Sequence, residues 1–351
     1  MDQGKIIFRE KSYEFLHFAD EFNAHPELWL RSISDFILEW FDTKSFVSTH
    51  TSGSTGIPKT IELPKQTMLE SALKTIQYFN FKKGIQAFNC LPAKYIAGRM
   101  MLVRSMAGNW NLFIEEPSAA PTIPPGTDFT ALTPPQLSRV ISMKSSSGIV
   151  LVGGAPVSIG LESRILQAKS TKIYLTYGMT ETASHVALRK MNGKDRSPYF
   201  TAMPGVKFET NEHQQLIIHA DHVRSSPLTT NDVVDLLSDT AFYWKGRLDN
   251  VINSGGLKLY PEKIENELGK LISVPFFITA IEHNKWGEAP AIVMENDPKF
   301  CLDWNQTDLS KFEFPEKLIF VRKLIYTASG KIDRKLTLKE ENIKKRQKLK
   351  R

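Results

Sequence analysis

The nine residues Thr51-Ser52-Gly53-Ser54-Thr55-Gly56-Ile57-Pro58-Lys59 decide how the rest of the chain is read. They bring four hydroxyls, two glycines and one lysine into nine positions. Glycine lets backbone approach a phosphate closely. Hydroxyls and free N–H groups donate to phosphate oxygens, and a lysine adds charge. The P-loop spacing G-x-x-x-x-G-K-[ST] is not met, because Gly56 is followed by Ile57-Pro58 and Lys59 by Thr60. A short apolar, β-branched run at 45–51 leads into the loop, and Pro64 suits the first turn of a helix after it. Set between a strand and a helix, the segment reads as a phosphate loop of another kind and not as a flexible linker.

Around this loop the chain alternates. Residues 26–41 carry Trp29, Ile33, Phe36, Ile37 and Trp40 at helical spacing, so that stripe is core. Phe88–Leu91 reads as a strand, 96–107 as a helix and Trp110–Ile114 as a strand. Thr133-Pro134-Pro135-Gln136 has capping-box spacing and starts another helix. Gly148–Val152 and Lys172–Thr176 are strands flanking a helix at 158–168. Such alternation implies a largely parallel sheet covered by helices. Beyond residue 200 the segments 206–209, 214–220, 233–237 and 242–245 are short and strand-like. A second unit then follows, with a helix at 261–270, strands near 276–281 and 289–295, and a carboxyl-terminal helix near 335–349. The expected fold class is α/β: a large domain (1–247) with a helix-covered, mainly parallel sheet and a β-rich subdomain, then a small mobile α+β domain (248–351).

The 351 residues suit one large and one smaller domain, and 41% hydrophobic with 24% charged content is ordinary for a globular protein. Two cysteines, Cys90 and Cys301, cannot make a disulfide framework and read as buried thiols in a reducing compartment. The start MDQGKIIFRE has no apolar signal core, and no apolar run approaches the ~20 residues of a membrane span. A cytoplasmic location without a membrane span is expected. Much of the net charge of +7 sits in the tail from Lys344 to Arg351, without interleaved aromatics. That pattern reads as a solvated helix end and not as a nucleic-acid surface. The remaining excess suits a protein that handles anions. The histidines, His50 and His185 among them, show no ligand spacing and read as structural.

With these elements in place, the loop resembles the signature of the adenylate-forming superfamily, which contains acyl-CoA synthetases, luciferases and peptide-synthetase adenylation domains. The further motifs follow in the order that the resemblance implies, from residue 51 to residue 334. The resemblance assigns Thr51, Ser52, Gly53, Ser54, Thr55, Gly56 and Lys59 to the phosphates of ATP. Gly153, Gly154 and Ala155 would lie along the adenine and acyl pocket. In Tyr177-Gly178-Met179-Thr180-Glu181, Tyr177 would stack near the adenine, Thr180 would bond the adenylate phosphate and Glu181 would hold Mg²⁺. One carboxylate plus phosphate oxygens is a usual way to hold this hard cation. Thr229-Thr230-Asn231-Asp232 matches the family's threonine–glycine–aspartate, with Asp232 on the ribose hydroxyls. Asn231 replaces the glycine, and asparagine tolerates the positive φ that a turn there requires. Arg247 would contact ribose or phosphate, and Asp249 would be the hinge.

The same resemblance makes Lys331, in Thr327-Ala328-Ser329-Gly330-Lys331-Ile332-Asp333-Arg334, the catalytic cation that bridges the acyl carboxylate and the α-phosphate. A carboxylate attacking an anionic nucleotide needs positive charge where charge develops. Ser254, Gly255, Gly256 and Lys258 would line the tunnel through which coenzyme A reaches the adenylate. The implied activity is an ATP-dependent acid–CoA ligase. ATP, Mg²⁺ and coenzyme A are its cosubstrates and metal, and a small-molecule carboxylic acid is its substrate.

For the acid, Leu91-Pro92-Ala93-Lys94-Tyr95-Ile96-Ala97-Gly98 resembles the family's acyl-pocket segment, often with histidine at the position of Tyr95. Arg104 follows Gly98 by six residues on a predicted helix. This arrangement is most similar to the branch that activates o-succinylbenzoate in menaquinone biosynthesis. That substrate is a dianion, and Arg104 would pair with the carboxylate that is not activated. Two alternatives stay open: an enzyme that adenylates another acid or loads a carrier protein, and a non-catalytic adenylate- or acyl-binding protein. Only 50 residues precede the loop, against well over a hundred in most of the family, so a shortened amino-terminal region is expected.

Overall fold

The computed structural model describes residues 4–50, 60–141, 148–223, 226–295, 304–327 and 332–349. The chain begins with strands β1 (Lys5–Phe8) and β2 (Lys11–Tyr13) and helices α1 (Phe15–Phe22) and α2 (Leu28–Phe41). Among the described residues, strands β3 (Phe46–His50) and β4 (Thr60–Pro64) pair only with each other, antiparallel, His50 opposite Thr60. Then come α3 (Lys65–Phe79), β5 (Gln86–Asn89), α4 (Ile96–Gly108) and β6 (Asn111–Ile114). They are followed by β7 (Phe129–Leu132), α5 (Pro134–Val140), β8 (Ile149–Val152), α6 (Ile159–Gln167) and β9 (Lys172–Gly178).

β9, β8, β7, β5, β6 and β1 lie side by side and parallel. The chain runs from β5 out to β6 and then returns across β5 to β7. Ligand sites in open parallel sheets favour the carboxyl ends of strands at such a reversal. α5 starts with the predicted capping box: Thr133 Oγ1 accepts from Gln136 N, and Gln136 Oε1 accepts from Thr133 N. α4 is buried on nearly every side: Met100, Met101, Leu102, Val103 and Met106 share the interior with Arg104 and Ser105, which marks an interior helix.

The β-rich part is no separate sheet. β10 (His185–Lys190), β11 (Phe200–Ala202), β12 (Val206–Thr210), β13 (Gln215–Ala220), β14 (Leu228–Ser238) and β15 (Ala241–Arg247) continue the same 13-stranded sheet with antiparallel pairings. The amino-terminal elements close its other edge: β1 adds to β6, and Phe8, Tyr13, Phe18 and Phe22 interlock edge-to-face or stacked.

A second sheet follows, with β16 (Ile252–Ser254), β17 (Leu257–Leu259), α7 (Pro261–Leu268), β18 (Phe276–His283), β19 (Gly287–Glu295), β20 (Lys317–Val321), a short α8 (Arg334–Thr337) and β21 (Ile343–Lys348). It has its own apolar core around Ile264, Leu268, Ile278, Ile292 and Leu318.

Several expectations are corrected. The tail is not a helix over 335–349: Arg334–Thr337 is a short α-helix, Glu340–Asn342 a single 3-10 turn, and Ile343–Lys348 a strand antiparallel to β20. The apolar β20 needs a partner for its backbone, and an edge strand can point its lysines into water. β4 intervenes where the loop was expected to lead directly into a helix. Asn231 lies within the extended β14, and it is absent from the residues with positive φ, so the expected turn is not there. Cys90 is buried, its thiol pushed up to about 12 by desolvation, while Cys301 lies outside the described residues. Among the described residues, no helix is long and apolar enough to cross a membrane.

Candidate active site

The candidate residues gather at the carboxyl ends of β8 and β9 and along the neighbouring antiparallel strands. Gly153 follows β8 directly; a Cβ there would stand 2.2 Å from Thr176 Oγ1, and Gly154 has φ +85°. Ala155 is half-buried beside them. Tyr177 and Gly178 end β9. Thr180, half-buried, and Glu181, exposed, form a single 3-10 turn with Thr182.

Tyr177 packs against Phe200 and Phe242 and donates its hydroxyl to Asp232 Oδ2 at 2.7 Å. Burial and the Asp232 carboxylate hold that phenol well above its usual range. Trp244 Nε1 donates to Asp232 Oδ1 at 3.0 Å. Asp232 is thus buried and fixed through both oxygens, each of which keeps a lone pair for a further donor. Arg247 lies opposite Asp232 across β14 and β15, and its Nε pairs with Asp249 at 3.1 Å.

Arg104 projects from α4 with 2% exposure. Its Nε donates to Thr75 Oγ1 at 3.3 Å, and its Nη2 donates to Ser184 Oγ and stands 3.4 Å from His185 Nδ1. Among the described residues it has no carboxylate partner. Desolvation alone lowers its pKa to about 9. Ser184 follows the turn of Thr180–Thr182 closely, with Ser184 N bonded to Thr182 O at 2.7 Å, so the guanidinium is tied to that motif. Gly98, nearly two turns earlier on α4, is close-packed: a Cβ would sit 2.4 Å from Pro92 O. Tyr95 is half-buried at the amino-terminal cap of the helix.

Residues 51–59 and Lys331 lie outside the described residues. Their flanks are defined. His50 pairs with Thr60, and Arg99 of α4 donates to Ser48 O at 2.6 Å, tying β3 to the helix of Arg104. Tyr326 bridges Ile332 on either side of Lys331. In the second sheet, Gly255 (φ +59°) and Gly256 (φ +87°) are the two central residues of the β16–β17 hairpin. A two-residue hairpin loop with positive φ at both positions demands glycine-like residues. Ser254 is fully buried and Lys258 exposed.

Sequence reading missed Thr75, Ser184 and Trp244. Thr75 and Ser184 are separated by 109 positions, and Trp244 reaches Asp232 only through cross-strand register. No local spacing announces either contact. Among the described residues, no group of three or more histidine, cysteine, aspartate or glutamate side chains could hold a metal by itself.

Tyr177 at the end of β9, with Thr180 just beyond it, meets the carboxylate of Asp232 from β14, with the buried cation of α4 close by, and this is the arrangement of a nucleotide-handling enzyme of the adenylate-forming class. Residues 42–210 match the AMP-binding enzyme family. The crystal structure of an acyl-CoA synthetase (AMP-forming)/AMP-acid ligase II-like protein from Dyadobacter fermentans is 32% identical, with a TM-score of 0.62, over 92% of this chain and 97% of that one. The chain belongs to this AMP-binding enzyme family. The 2-succinylbenzoate–CoA ligase of Escherichia coli is 26% identical over 322 residues, 86% of this chain and 70% of its relative. The o-succinylbenzoate CoA synthetase of Bacillus subtilis, solved with its acyl-adenylate intermediate, shares the fold with a TM-score of 0.69 at 20% identity, over 85% and 69% of the two chains.

Proposed function

We propose that the chain is an ATP-dependent acid–CoA ligase whose substrate is an aromatic dicarboxylate, o-succinylbenzoate. One substrate carboxylate attacks the α-phosphorus of ATP, giving the acyl-adenylate and pyrophosphate. The thiolate of coenzyme A then attacks the acyl carbon and AMP leaves. The observation that carries the choice of acid is Arg104: a buried guanidinium whose partners among the described residues are all neutral, tied through Ser184 to the turn of Thr180 and Glu181. A buried cation without a counter-ion is costly and is relieved by a carboxylate that arrives with the substrate.

In this reading Asp232 accepts from the ribose hydroxyls and Tyr177 lies beside the adenine. Arg247 and the loop 51–59 meet the phosphates, and Lys331 neutralises the reacting oxygens. The exposed, single carboxylate of Glu181 fits a magnesium ion that takes its other ligands from phosphate and water. Bound there, the ion would offset charge on the departing pyrophosphate. Gly255 and Gly256 border the thiol's approach. The unit after Asp249 turns about that residue between the two half-reactions. A cytoplasmic location belongs to the same reading, since ATP, coenzyme A and a chain with only two cysteines suit a reducing compartment.

A panel of mono- and dicarboxylic acids, read by acid-dependent exchange of labelled pyrophosphate into ATP and by release of acyl-CoA, tests this. Exchange and acyl-CoA with o-succinylbenzoate support the proposal. Exchange without acyl-CoA points to a carrier-protein acceptor. No exchange with any acid rejects catalysis. Arg104→Gln is expected to raise KM for the dicarboxylate by about 10- to 100-fold, the scale of a lost charge-assisted hydrogen bond.

A further inference from the structure

The cluster around Arg104 does more than bury a charge. Thr75 Oγ1 donates its one proton to Ser71 O at 3.1 Å, so that oxygen faces its other neighbours as an acceptor. His185 Nε2 stands 3.4 Å from Thr75 Oγ1 and must therefore carry the ring proton. Nδ1 is then the bare nitrogen. It lies 3.2 Å from Ser184 Oγ and 3.4 Å from Arg104 Nη2. Desolvation, then the charge of Arg104, hold the imidazole well below its usual pKa, which agrees with a neutral ring.

The donors of Arg104 can now be followed atom by atom. Nε is taken by Thr75, and Nη2 by Ser184 and His185. Among the described residues, Nη1 has only the thioether of Met101, at 4.0 Å. A sulfur at that distance is a weak acceptor. Nη1 is thus the guanidinium nitrogen with the weakest acceptor among the described residues.

From this geometry we infer that His185 is a positioning residue: its neutral imidazole fixes Arg104 so that Nη1 is presented to the second carboxylate of the substrate. A carboxylate at position 185 would orient the guanidinium equally well but would cancel its charge and compete with the substrate. A neutral ring orients it and leaves the charge available. The inference rests on the reading of Arg104 as the partner of a dicarboxylate.

The test compares KM for o-succinylbenzoate with KM for the same acid lacking its second carboxylate. His185→Phe keeps a ring but removes both nitrogens. It is expected to raise KM for the dicarboxylate by about tenfold, with kcat and the monoacid KM changed by less than about twofold. His185→Asn keeps an acceptor near the position of Nδ1 and is expected to recover most of the loss. Equal effects on both acids, or a fall in kcat at constant KM, would overturn the inference.

Arg104→Gln separates the two readings. If it leaves the preference for the dicarboxylate intact, the substrate reading itself has failed. If it abolishes the preference while His185→Phe does not, only the role of His185 falls. Nitrogen-15 spectra of the unsubstituted protein test the same point if His185→Phe does not fold. They should show the Nε2–H tautomer from pH 6 to 8, and the dicarboxylate should shift Nη1 of Arg104. A protonated ring, the other tautomer, or an unmoved Nη1 overturns the inference.

Discussion

The hydroxyl of Tyr177 donates to Oδ2 of Asp232 across 2.7 Å, joining the end of β9 to the middle of β14. These two strands are not neighbours in the sheet, since β10, β11 and β15 lie between them. The bond therefore spans the curved face on which the proposed nucleotide would lie. With Trp244 on the other oxygen, it sets the direction of the carboxylate.

Tyr177→Phe removes a hydrogen bond to a charged acceptor, about 1.5–3 kcal/mol of orientation for Asp232. KM for ATP should rise by roughly tenfold, while KM for the acid changes by less than about twofold. Steady-state kinetics with each substrate varied in turn measures both. An unchanged KM for ATP would remove Asp232 from ribose binding.

Gly178 is closed to any side chain. A Cβ there would stand 2.2 Å from Ser184 O and 2.7 Å from His185 Cα, both of them backbone atoms. Gly178→Ala must push Ser184 and His185 away from Arg104. A loss of about 1–3 kcal/mol is expected, together with a higher KM for the dicarboxylate. Thermal melting and kinetics on one preparation read the two effects together.

Two buried histidines set an acid limit. Burial and then Arg104 depress His185 well below 6.5, and burial and then Lys74 depress His222 to about 4. Below pH 6.5 the unfolded chain takes up protons that the folded chain refuses, so stability falls as pH drops from about 6.5 toward 4 and is unaffected by these groups above it. Among the described residues, neither ring nitrogen of His222 has a hydrogen-bond partner. His222→Leu should raise the melting temperature, and raise it more at pH 5 than at pH 8. An equal gain at both values would show that His222 contributes nothing to the acid limit.

Arg334 ties α8 to α7 and β18 in the second unit. Its Nη2 meets Glu265 Oε1 at 2.8 Å, and its Nη1 donates to Ile278 O at 2.6 Å. Burial already pushes the Glu265 carboxyl up to about 7, with Arg334 the main influence in the other direction. Arg334→Ala leaves that carboxyl with the Ile278 N–H but without its cation and should cost about 3 kcal/mol. Lysine should recover only part, because it cannot fork between carboxylate and carbonyl. Urea denaturation followed at the tryptophans of the second unit, Trp286 and Trp304, reports the loss.

Much of the parallel sheet was legible because each strand there is a short apolar run bounded by a glycine, a cap or a loop. β5, β6, β8 and β9 and helices α4 and α6 fall within a few residues of the expected ranges. β7 was not legible: its four residues follow a proline-rich crossover, and only β5 and β8 on either side make it a strand. β21 was misread for a similar reason. Its lysine- and arginine-rich run has helix-forming residues, and the open edge of β20 overrides that preference.

The sequence by itself determined the order of motifs from Thr51 to Arg334, the strand–helix alternation, and therefore the class of chemistry. Those are local properties, written in residue type and spacing. Only the tertiary structure decided that the β-rich segment extends the parallel sheet, that Trp244 and Tyr177 share Asp232, and that Arg104 is buried against Thr75, Ser184 and His185 with no carboxylate partner among the described residues. Each depends on strand register or on a helix buried on nearly every side. Both bring together residues far apart in the chain, where no spacing rule reaches.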